Sequence, residues 1–238
     1  MCDTLTSPSA SGLSRPVHSN QPAPHPRLQA VVARHLRHID RTPTAAYSAE
    51  ALQQLLQAQA ARPGAPLVLD SGCGTGDSTL RFAAAHPDML VVGIDQSAVR
   101  LARGWRKQAS TSPIRGNALL LRADAADLWR LLAQTRVRVQ MHHLLYPNPW
   151  PKAAQLQRRW HAHPAFTALL ALGGQLELRT NWLIYAQEMQ QALRAAGVDA
   201  TLQALDAAAC ARQPVSPFER KYALSGHALW RLSARLGA

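Results

Sequence analysis

The segment Asp70 to Gly76 holds the residue types best suited to chemistry. It reads Asp-Ser-Gly-Cys-Gly-Thr-Gly and follows the apolar run 66–69, which predicts a buried strand ending in a glycine-rich turn that opens a helix. A side chain at Gly72, Gly74 or Gly76 would block close approach of a ligand to the backbone, and glycine also supplies the dihedral angles of a sharp turn. The turn is therefore predicted to hold a nucleoside cofactor.

The spacing of the glycines indicates which nucleoside is bound. A dinucleotide pyrophosphate is held by G-x-G-x-x-G, whereas Gly72, Gly74 and Gly76 follow the tighter pattern G-x-G-x-G. This pattern resembles that of S-adenosylmethionine-dependent methyltransferases, and the resemblance implies S-adenosyl-L-methionine as the cofactor. Glycine-rich turns also occur for purely structural reasons, so the motif is weak by itself.

Two further aspartates follow the next apolar runs. The first run ends at Asp95, 19 positions after Gly76, where a doubly wound sheet places the acid that receives two ribose hydroxyls. The second leads to Asp124 and Ala125, where methyltransferases commonly hold the edge of adenine. Solvated strand ends or helix caps would also explain both aspartates, but three strands ending in suitable side chains in the right order favour a cofactor site.

Length and composition limit the classes of protein. With 238 residues, 47% of them apolar and 17% charged, the chain suits one substantial core. We expect a disordered tail over 1–24, which is poor in large apolar side chains, and a single domain over 25–238. No stretch reaches the ~20 apolar residues of a membrane helix, and the N-terminus lacks the order of a secretory signal. A cytoplasmic protein without membrane contact is therefore expected, as a monomer or, alternatively, a homodimer.

The chain is strongly basic. A formal net charge of +12 exceeds what an enzyme acting on small molecules needs, and it favours a polyanionic partner. Runs of charge are usually solvated faces, but here the clusters flank the same predicted cleft. Basic residues gather in 34–38, 100–107, 152–163 and 212–221.

The order of apolar patterns predicts an α/β fold. Strands and helices alternate as in βαβ units, so we expect a Rossmann-like, mostly parallel, seven-stranded sheet with helices on both faces. The predicted strands lie near 66–71, 90–95, 117–122, 137–145 and 174–180, with a closing antiparallel hairpin from 198–205 and 222–233. The predicted helices lie near 27–39 and 45–61, ahead of the sheet, and then near 76–86, 97–109, 125–133, 162–172 and 182–196.

Local signals mark both ends of the last predicted helix. Asn181 is well placed as its N-cap, and Gly197 suits its carboxyl end. For Asn181 this structural role competes with any functional one.

A proline-rich loop follows the fourth predicted strand. It reads Tyr-Pro-Asn-Pro-Trp-Pro-Lys over 146–152, and at the carboxyl end of a central strand it would lie beside a bound cofactor. The prolines restrict the backbone around Asn148, and Trp150 offers a flat surface on which a base can stack. The methyl acceptor is therefore expected here, the alternative being an aromatic loop packed into the core.

These residues resemble the bacterial tRNA (guanine-N7-)-methyltransferases, whose signature is a Pro-Asp-Pro-Trp-Pro-Lys loop followed by a basic run, here Lys152 and Arg158-Arg159. Residues 179–186 are similar to the family's Thr-Asp-Trp and Tyr-Ala segment, and 214–220 to its Pro-x-Thr-x-Phe-Glu-Arg segment. The likeness runs from about His25 to the C-terminus. It implies a class I methyltransferase that uses S-adenosyl-L-methionine to methylate N7 of a guanine in tRNA.

The resemblance also assigns roles to residues. On the cofactor side it places Asp70, Gly72, Gly74, Gly76, Asp95, Asp124, Ala125 and Asn148. Asn148 also stands at the position of the family's catalytic aspartate. Contacts to the tRNA guanosine fall on Lys152, Asn181, Ser216, Pro217, Phe218 and Glu219. The chain departs from the family pattern at Asn148 and Asn181, where the family has aspartate, at Ser216, where it has threonine, and at Asp70, where glutamate is more common.

The chemistry of guanine N7 decides what these departures cost. N7 carries a free lone pair, so methyl transfer needs alignment and negative charge near a ring that becomes cationic, and no general base. An amide can align the base but does not neutralise the positive charge of its ring. Loss of one preorganised electrostatic contact typically costs on the order of 3 kcal/mol, about a hundredfold in rate. We hypothesise that Glu219 supplies the missing charge.

Two other functions stay open. A diverged paralogue that binds cofactor and RNA with little or no turnover would explain the two lost carboxylates. A methyltransferase for another nucleobase is the other alternative, because residues 147–150 superficially resemble the Asn-Pro-Pro-aromatic motif of amino-methyltransferases. The adjacent proline pair of that motif is absent here.

Metal and disulfide chemistry are not expected. The three cysteines are odd in number and scattered, which excludes a disulfide framework or a Cys-x-x-Cys site, and Cys73 is expected to be a small filler in the turn. His142 and His143 should point to opposite faces of a strand, and the pair His161 and His163 lacks a third ligand. We expect the latter pair to extend the phosphate-facing surface.

Overall fold

The computed structural model describes residues 14–38, 40–107 and 114–237. Within them the chain forms one sheet of eight strands with helices packed on both faces. The strands are β1 Leu67–Ser71, β2 Leu90–Asp95, β3 Ile114–Arg115, β4 Ala118–Arg122, β5 Val139–Leu145, β6 Gly174–Thr180, β7 Ala200–Leu205 and β8 Leu229–Leu236.

The helices fill the connections between the strands. They are α1 Leu28–Arg37, α2 Ala46–Ala60, α3 Asp77–Ala85, α4 Ala98–Lys107, α5 Ala125–Ala133, α6 Phe166–Ala171, α7 Leu183–Ala195, α8 Ala207–Arg212 and α9 Pro217–Leu224. Two short 3-10 helices, Ala153–Arg158 and Trp160–Ala162, follow β5. None of the described helices combines the length and the hydropathy needed to cross a membrane.

The strands lie in the order β3-β4-β2-β1-β5-β6-β8-β7. β1 pairs in parallel with β2 and with β5, while β8 joins β6 and β7 by antiparallel pairing. The chain moves outward from β1 through β2 to β4 and then returns to the other side of β1 as β5, so a crevice opens at the carboxyl ends of these strands. The predicted α/β fold with a mostly parallel sheet is confirmed. The additional strand β3 has two residues, too few to show in an apolar pattern.

Alternate side chains of the central strands enter different layers of the core. Leu67 and Leu69 of β1 pack with α1, α2 and α5, whereas Val68 packs with α3. Every residue of β1 and β2 is buried, as expected for parallel strands covered on both faces. Polar side chains at the ends of these strands are therefore the ones that can reach a ligand.

The C-terminal hairpin differs from its predicted bounds. It forms from β7 and β8, but the second strand begins at Leu229 instead of residue 222. Residues Pro217–Leu224 form α9 because the Ser216 hydroxyl accepts a hydrogen bond from the Glu219 N–H at 3.2 Å and Pro217 occupies the first helical position. The helical cap outweighs the apolar pattern there.

The predicted N-cap at Asn181 is wrong. Helix α7 begins at Leu183, and the hydroxyl of Thr180 accepts the hydrogen bond from the Trp182 N–H at 3.1 Å. The Asn181 side-chain amide instead hydrogen-bonds the ring of His227, with 3.0 Å between the two nitrogens. The prediction failed because Thr180, one residue earlier, offers a competing hydroxyl. The prediction for Gly197 is confirmed, since it follows the end of α7 with a φ of 76°.

The segment predicted as a tail over 1–24 is only partly within the structure. Residues 1–13 lie outside the described residues. Residues 14–24 lie on the domain, where Val17 packs against the core, the Ser19 hydroxyl donates to the Pro151 carbonyl at 2.6 Å, and Gln21 is buried. This part of the prediction is wrong because hydrogen bonds hold the segment, and composition does not reveal them.

Gly104 lets α4 pack against the glycine-rich turn. A Cβ at this position would lie 2.0 Å from the carbonyl oxygen of Thr75. In an open helix Gly→Ala would add about 1 kcal/mol of stability, but here we expect Gly104→Ala to lower the free energy of unfolding by about 2 kcal/mol or more. Urea unfolding measures it, with Ala102→Gly on the same helix as the control for helix propensity. A stabilised Gly104→Ala protein would contradict the close approach.

His142 makes stability depend on pH. It is fully buried in β5, its Nε2–H donates to the Gly173 carbonyl at 2.9 Å, and burial lowers its pKa from 6.5 to about 4. The unfolded state therefore binds a proton at His142 more readily than the folded state does. The contribution of neutral His142 to the free energy of unfolding is complete above pH 6.5 and is lost as the pH falls toward 4. We expect the loss of unfolding free energy between pH 7 and pH 4 to be about 3 kcal/mol smaller in His142→Leu than in the wild type. His38→Leu, at an exposed position, should show the wild-type slope, and equal slopes in all three proteins would refute the prediction.

Candidate active site

A cavity of about 400 Å³ occupies the crevice at the carboxyl ends of β1, β2 and β5. Its size suits a nucleoside-sized ligand together with part of a second group. The wall combines the glycine-rich turn, the acidic strand ends and the proline-rich loop. Residues on it include Gly72, Gly74, Asp95, Gln96, Arg100, Asp124, Ala125, Tyr146, Asn148, Trp150, Arg158, His163 and Phe218.

The glycine-rich turn is held by the end of β2. The N–H groups of Gly72 and Cys73 donate to the Ile94 carbonyl at 2.8 and 2.9 Å. Gly72 and Gly74 have φ values of 83° and 62°, and a Cβ at either would meet nothing within 4 Å. Their free faces belong to the cavity wall, so the structure brings these two predicted glycines to the site.

Gly76 and Asp70 support the turn from behind. A Cβ on Gly76 would lie 2.6 Å from the Leu120 side chain, so this glycine permits packing of α3 on the sheet. The buried Asp70 carboxylate accepts hydrogen bonds from the hydroxyls of Ser78 and Thr79 at 2.6 and 2.7 Å, which anchors the first turn of α3. Neither residue lines the cavity, so their role toward a cofactor is one of support for the turn, and direct contact stays a prediction.

Asp95 joins the turn to the cavity. One carboxylate oxygen accepts from the Gly74 N–H at 3.0 Å, and the other accepts from the Ser97 N–H at 2.8 Å. The exposed guanidinium of Arg100 forms an ion pair with it at 3.0 Å. The Arg100 side chain is exposed and lines the cavity, so Asp95 can exchange this partner for hydroxyl groups of a ligand.

Asp124 has two roles at once. Its Oδ1 accepts from the Ala126 N–H at 2.7 Å and caps α5, which is the structural explanation that the sequence left open. Its other oxygen accepts a hydrogen bond from the Gln96 side chain, and both residues line the cavity beside Ala125. No role for Gln96 follows from the motifs, although its position directly after Asp95 could have indicated it.

The proline loop, residues 146–152, forms the opposite wall. Tyr146 and Trp150 have φ values of 54° and 45°, a conformation that side-chain-bearing residues seldom adopt. Asn148 is exposed on the wall of the cavity. The guanidinium of Arg158 lies 4.8 Å from the centre of the Trp150 ring. The loop therefore presents an amide, an aromatic face and a cation to the same space.

Glu219 is not a surface group. Its side chain is fully buried and accepts hydrogen bonds from the Tyr146 hydroxyl at 2.9 Å, from Arg179 at 3.0 Å and from the Val215 N–H at 3.1 Å. Burial, together with the Glu219 carboxylate, raises the pKa of Tyr146 far above its ordinary value, so the phenol stays protonated as a donor. The structure thus contradicts the hypothesis that Glu219 offers free charge to a substrate, because Arg179 neutralises it.

The other predicted substrate residues divide between the cavity and its surroundings. Phe218 reaches the rim with 48% of its surface exposed. Lys152 is exposed outside the cavity wall. Ser216 caps α9 and is buried, and neither it nor Asn181 is among the lining residues, which also do not include Pro217. The structure therefore brings only Phe218 of this set to the cavity.

The basic clusters contain both paired and exposed charges. Arg130, Arg159 and Arg179 are engaged in ion pairs with buried or partly buried carboxylates. Of the exposed cations, Arg100 and Arg158 line the cavity, and Arg103, Arg106 and Lys152 are exposed on the elements that carry these two or on the proline loop. His161 is fully buried and hydrogen-bonded to Glu188 at 2.9 Å, so the prediction that it extends a phosphate-facing surface is wrong. His163 does line the cavity, and burial lowers its pKa.

Cys73 and Cys210 are free thiols in the described part of the chain. Cys73 is buried in the turn, as predicted for a small filler, and burial raises its pKa well above the ordinary value. In the part of the chain that the structure describes, no three His, Cys, Asp or Glu side chains are grouped so as to hold a metal ion.

The sheet order, the glycine-rich turn and the acidic ends of β2 and β4 define a class I methyltransferase fold. Solved structures agree: the 16S rRNA methyltransferase KamB is 20% identical with a TM-score of 0.58 over 78% of this chain and 94% of that one. A 16S rRNA (adenine(1408)-N(1))-methyltransferase mutant from Catenulisporales acidiphilia, solved with its cosubstrate SAM, is 18% identical with a TM-score of 0.55, covering 79% and 92% of the two chains. At sequence identities of 18–20%, this similarity shows the fold alone.

The chain belongs to the tRNA (guanine-N(7)-)-methyltransferase family. Residues 64–232 match the model of the protein family that is described as "Putative methyltransferase". The tRNA (guanine-N(7)-)-methyltransferase of Alkalilimnicola ehrlichii is 32% identical over 72% of this chain and 73% of its own length. The protein of the same name from Pseudomonas aeruginosa is 32% identical over 71% and 70%, and that from Thiobacillus denitrificans is 29% identical over 72% and 75%.

Proposed function

We propose that this protein transfers a methyl group from S-adenosyl-L-methionine to N7 of a guanine in tRNA. The observation that carries the proposal is that one cavity joins two kinds of wall. Asp95 and Asp124 form an acidic side suited to an adenosyl group, and the proline loop with Phe218 forms an aromatic side suited to a base. Membership of the tRNA (guanine-N(7)-)-methyltransferase family agrees with a cavity that has one side for the cofactor and one for a base.

The acidic side fits S-adenosyl-L-methionine. Asp95 would accept hydrogen bonds from the two ribose hydroxyls in place of Arg100. Asp124, Ala125 and Gln96 would border the adenine, and the open faces of Gly72 and Gly74 leave room for close backbone approach. When bound, the cofactor supplies an electrophilic methyl group on a sulfonium and leaves as S-adenosylhomocysteine.

The aromatic side would hold the acceptor base. Trp150, with Arg158 against its ring, and the exposed Phe218 offer flat surfaces at the mouth of the cavity. Stacking on such faces is worth about 1–3 kcal/mol per base and tolerates any base. Selection of guanine would then fall to hydrogen-bonding groups, of which the exposed amide of Asn148 is the best placed.

The residues of the proline loop would align the reaction without proton transfer. N7 donates its lone pair to the methyl carbon while the carbon–sulfur bond breaks, so no base is required and the purine becomes cationic. Asn148 would orient the base, and the face of Trp150 would stabilise the positive ring. Because Glu219 is buried and paired, charge neutralisation at the ring is weak and turnover is expected to be slow.

Exposed cations beside the cavity would bind the RNA backbone. Arg103 and Arg106 lie on the same helix as Arg100, and Lys152 and Arg158 lie on the opposite side of the cavity. When a protein binds RNA through phosphate contacts of this kind, the logarithm of the binding constant falls linearly with the logarithm of the salt concentration. A tRNA substrate would place the protein in the cytoplasm.

A binding protein with little turnover is the second candidate. The amide at Asn148 and the neutralised Glu219 favour it, since no free carboxylate of the proline loop or α9 faces the cavity. Such a protein would bind cofactor and tRNA with ordinary affinity but form no product.

Nucleoside mass spectrometry tests the proposal. The purified full chain is incubated with S-adenosyl-L-methionine carrying a trideuterated methyl group and with tRNA from cells that lack 7-methylguanosine. Trideuterated 7-methylguanosine is expected. Binding of both partners without any methylated nucleoside would support the second candidate, and trideuterated N6-methyladenosine as the product would overturn the assignment to guanine N7.

A further inference from the structure

A fully buried ion pair lies behind the proline loop and outside the cavity. Arg159, which follows the first 3-10 helix, and Glu188 of α7 have no exposed side-chain surface and approach to 2.5 Å. Buried ion pairs are costly unless every polar atom is satisfied, and an apolar pair of the same size is often more stable. The pair therefore calls for a function that apolar side chains would not provide.

Both oxygens of Glu188 are used. Oε2 accepts from Arg159 and from the ring of His161 at 2.9 Å, and Oε1 accepts from the Gln21 side chain at 2.6 Å and from the His25 N–H at 2.8 Å. Burial alone would raise the pKa of Glu188, but the hydrogen bonds and charge of its partners hold it below the ordinary range. Glu188 is thus a fixed anion that ties α7, the 3-10 segment and the N-terminal segment together.

The remaining donors of Arg159 hold the proline loop. Its Nε and Nη2 groups both donate to the carbonyl oxygen of Trp150, at 3.1 and 3.0 Å, and Nη2 also reaches the Lys152 carbonyl at 3.4 Å. The guanidinium lies 4.9 Å from the centre of the Trp182 ring. A planar guanidinium with several donors can fix one carbonyl in this way, whereas an ammonium group cannot.

The loop has a conformation that needs such support. Trp150 adopts a φ of 45°, and residues of this kind persist only where the surroundings determine the backbone. Asn148, two residues earlier, is exposed and depends on the loop backbone for its position. Holding the Trp150 carbonyl therefore sets where the Asn148 amide points.

The N-terminal segment completes the support. Gln21 accepts from Arg159 at 3.1 Å while it donates to Glu188. The Ser19 hydroxyl donates to the Pro151 carbonyl at 2.6 Å and accepts from the Gln21 N–H at 3.0 Å. Ser19 thus contacts the proline loop directly and Gln21 contacts it through Arg159, and neither residue lines the cavity.

We propose that Gln21, Arg159 and Glu188 form a loop brace, in which Arg159 is a positioning residue for methyl transfer and the N-terminal segment 19–25 is part of the active-site support. The brace acts through the Trp150 carbonyl and touches neither cofactor nor base. This inference rests on the proposed function for its effect on catalysis, while the effect on the loop itself is independent of it.

Two variants test the brace at different depths. Arg159→Lys keeps the charge opposite Glu188 and loses the paired hydrogen bonds to Trp150, whereas Gln21→Ala leaves the ion pair in place. We expect kcat, calculated from the concentration of enzyme that binds cofactor, to fall about 30-fold in Arg159→Lys, because misplacement of reacting groups by about 1 Å costs up to a hundredfold. In Gln21→Ala we expect a fall of about fivefold. The dissociation constant of S-adenosyl-L-methionine should stay within twofold of the wild type. Arg194→Lys, at an exposed position of α7, serves as the matched control.

Hydrogen exchange of the proline loop separates the brace from the proposed function. Amides in peptides spanning 146–158 should exchange at least fivefold faster in both variants than in the wild type or Arg194→Lys. Faster exchange in the absence of any wild-type methylation would support the brace and refute the function. Unchanged exchange in a folded Gln21→Ala protein, or a wild-type kcat in either variant, would overturn the brace even if Arg159→Lys fails to fold.

Discussion

Asp95→Asn should weaken the binding of S-adenosyl-L-methionine about a hundredfold. In the folded protein, Asp95 accepts hydrogen bonds from the backbone at Gly74 and Ser97, and its remaining contact, with Arg100, lies on the cavity side. Hydrogen bonds to a charged group are worth about 1.5–3 kcal/mol each. An amide keeps one acceptor oxygen but cannot serve both the turn and two ribose hydroxyls, so a loss of about 3 kcal/mol is expected.

Calorimetric titration with S-adenosyl-L-methionine and with S-adenosylhomocysteine measures the effect. Asp88→Asn is the matched control, because Asp88 is exposed just before the amino end of the same strand, β2, away from the cavity. It should bind both ligands with wild-type affinity. Equal affinity of Asp95→Asn and Asp88→Asn would mean that the cofactor lies elsewhere.

Asn148→Asp should raise kcat for tRNA methylation by about tenfold to a hundredfold. Asn148 is exposed on the cavity wall opposite the acidic side, and the only nearby carboxylate of α9, Glu219, is buried against Arg179. A carboxylate at 148 would stabilise the purine as it becomes cationic in the transition state. One preorganised electrostatic contact of this kind is worth about 2.7–4 kcal/mol, and solvent exposure of the side chain reduces the gain.

The control for Asn148→Asp is a negative charge added elsewhere. Gln140→Glu places a carboxylate at an exposed position near the amino end of β5, the strand that leads into the proline loop. It should leave kcat and the KM for tRNA unchanged, while Asn148→Asp changes kcat more than KM. A fall in kcat for Asn148→Asp would show that the amide itself is needed by the acceptor base.

The fold and the cofactor side could be predicted because their signals are local. An apolar run followed by glycines or an aspartate predicts a buried strand and the polar group at its end. Gly72, Gly74, Asp95 and Asp124 accordingly lie at the cavity. The limit of such signals is visible at Asp70, whose position in the same motif does not reveal that it faces the hydroxyls of α3.

The acceptor side was harder to predict because burial of charge leaves no local pattern. Glu219 and Arg179 are 40 positions apart in the chain, and Gln21 and Arg159 are 138 apart. Each of these residues reads as a solvated polar group in the sequence. Their pairing depends on which elements the sheet order brings together, and so do the burial of His161 and the docking of residues 14–24.

Mapping of methylated guanines tests the central claim most directly. Reduction with borohydride followed by aniline cleaves RNA only where a guanine is methylated at N7, because the cationic ring is the one that is reduced and lost. Unmodified tRNA and unmodified 16S rRNA are each incubated with the protein and S-adenosyl-L-methionine. The tRNA should then be cut at a single guanine, and the 16S rRNA should stay intact. Intact tRNA, or cleavage of the ribosomal RNA alone, would contradict the account.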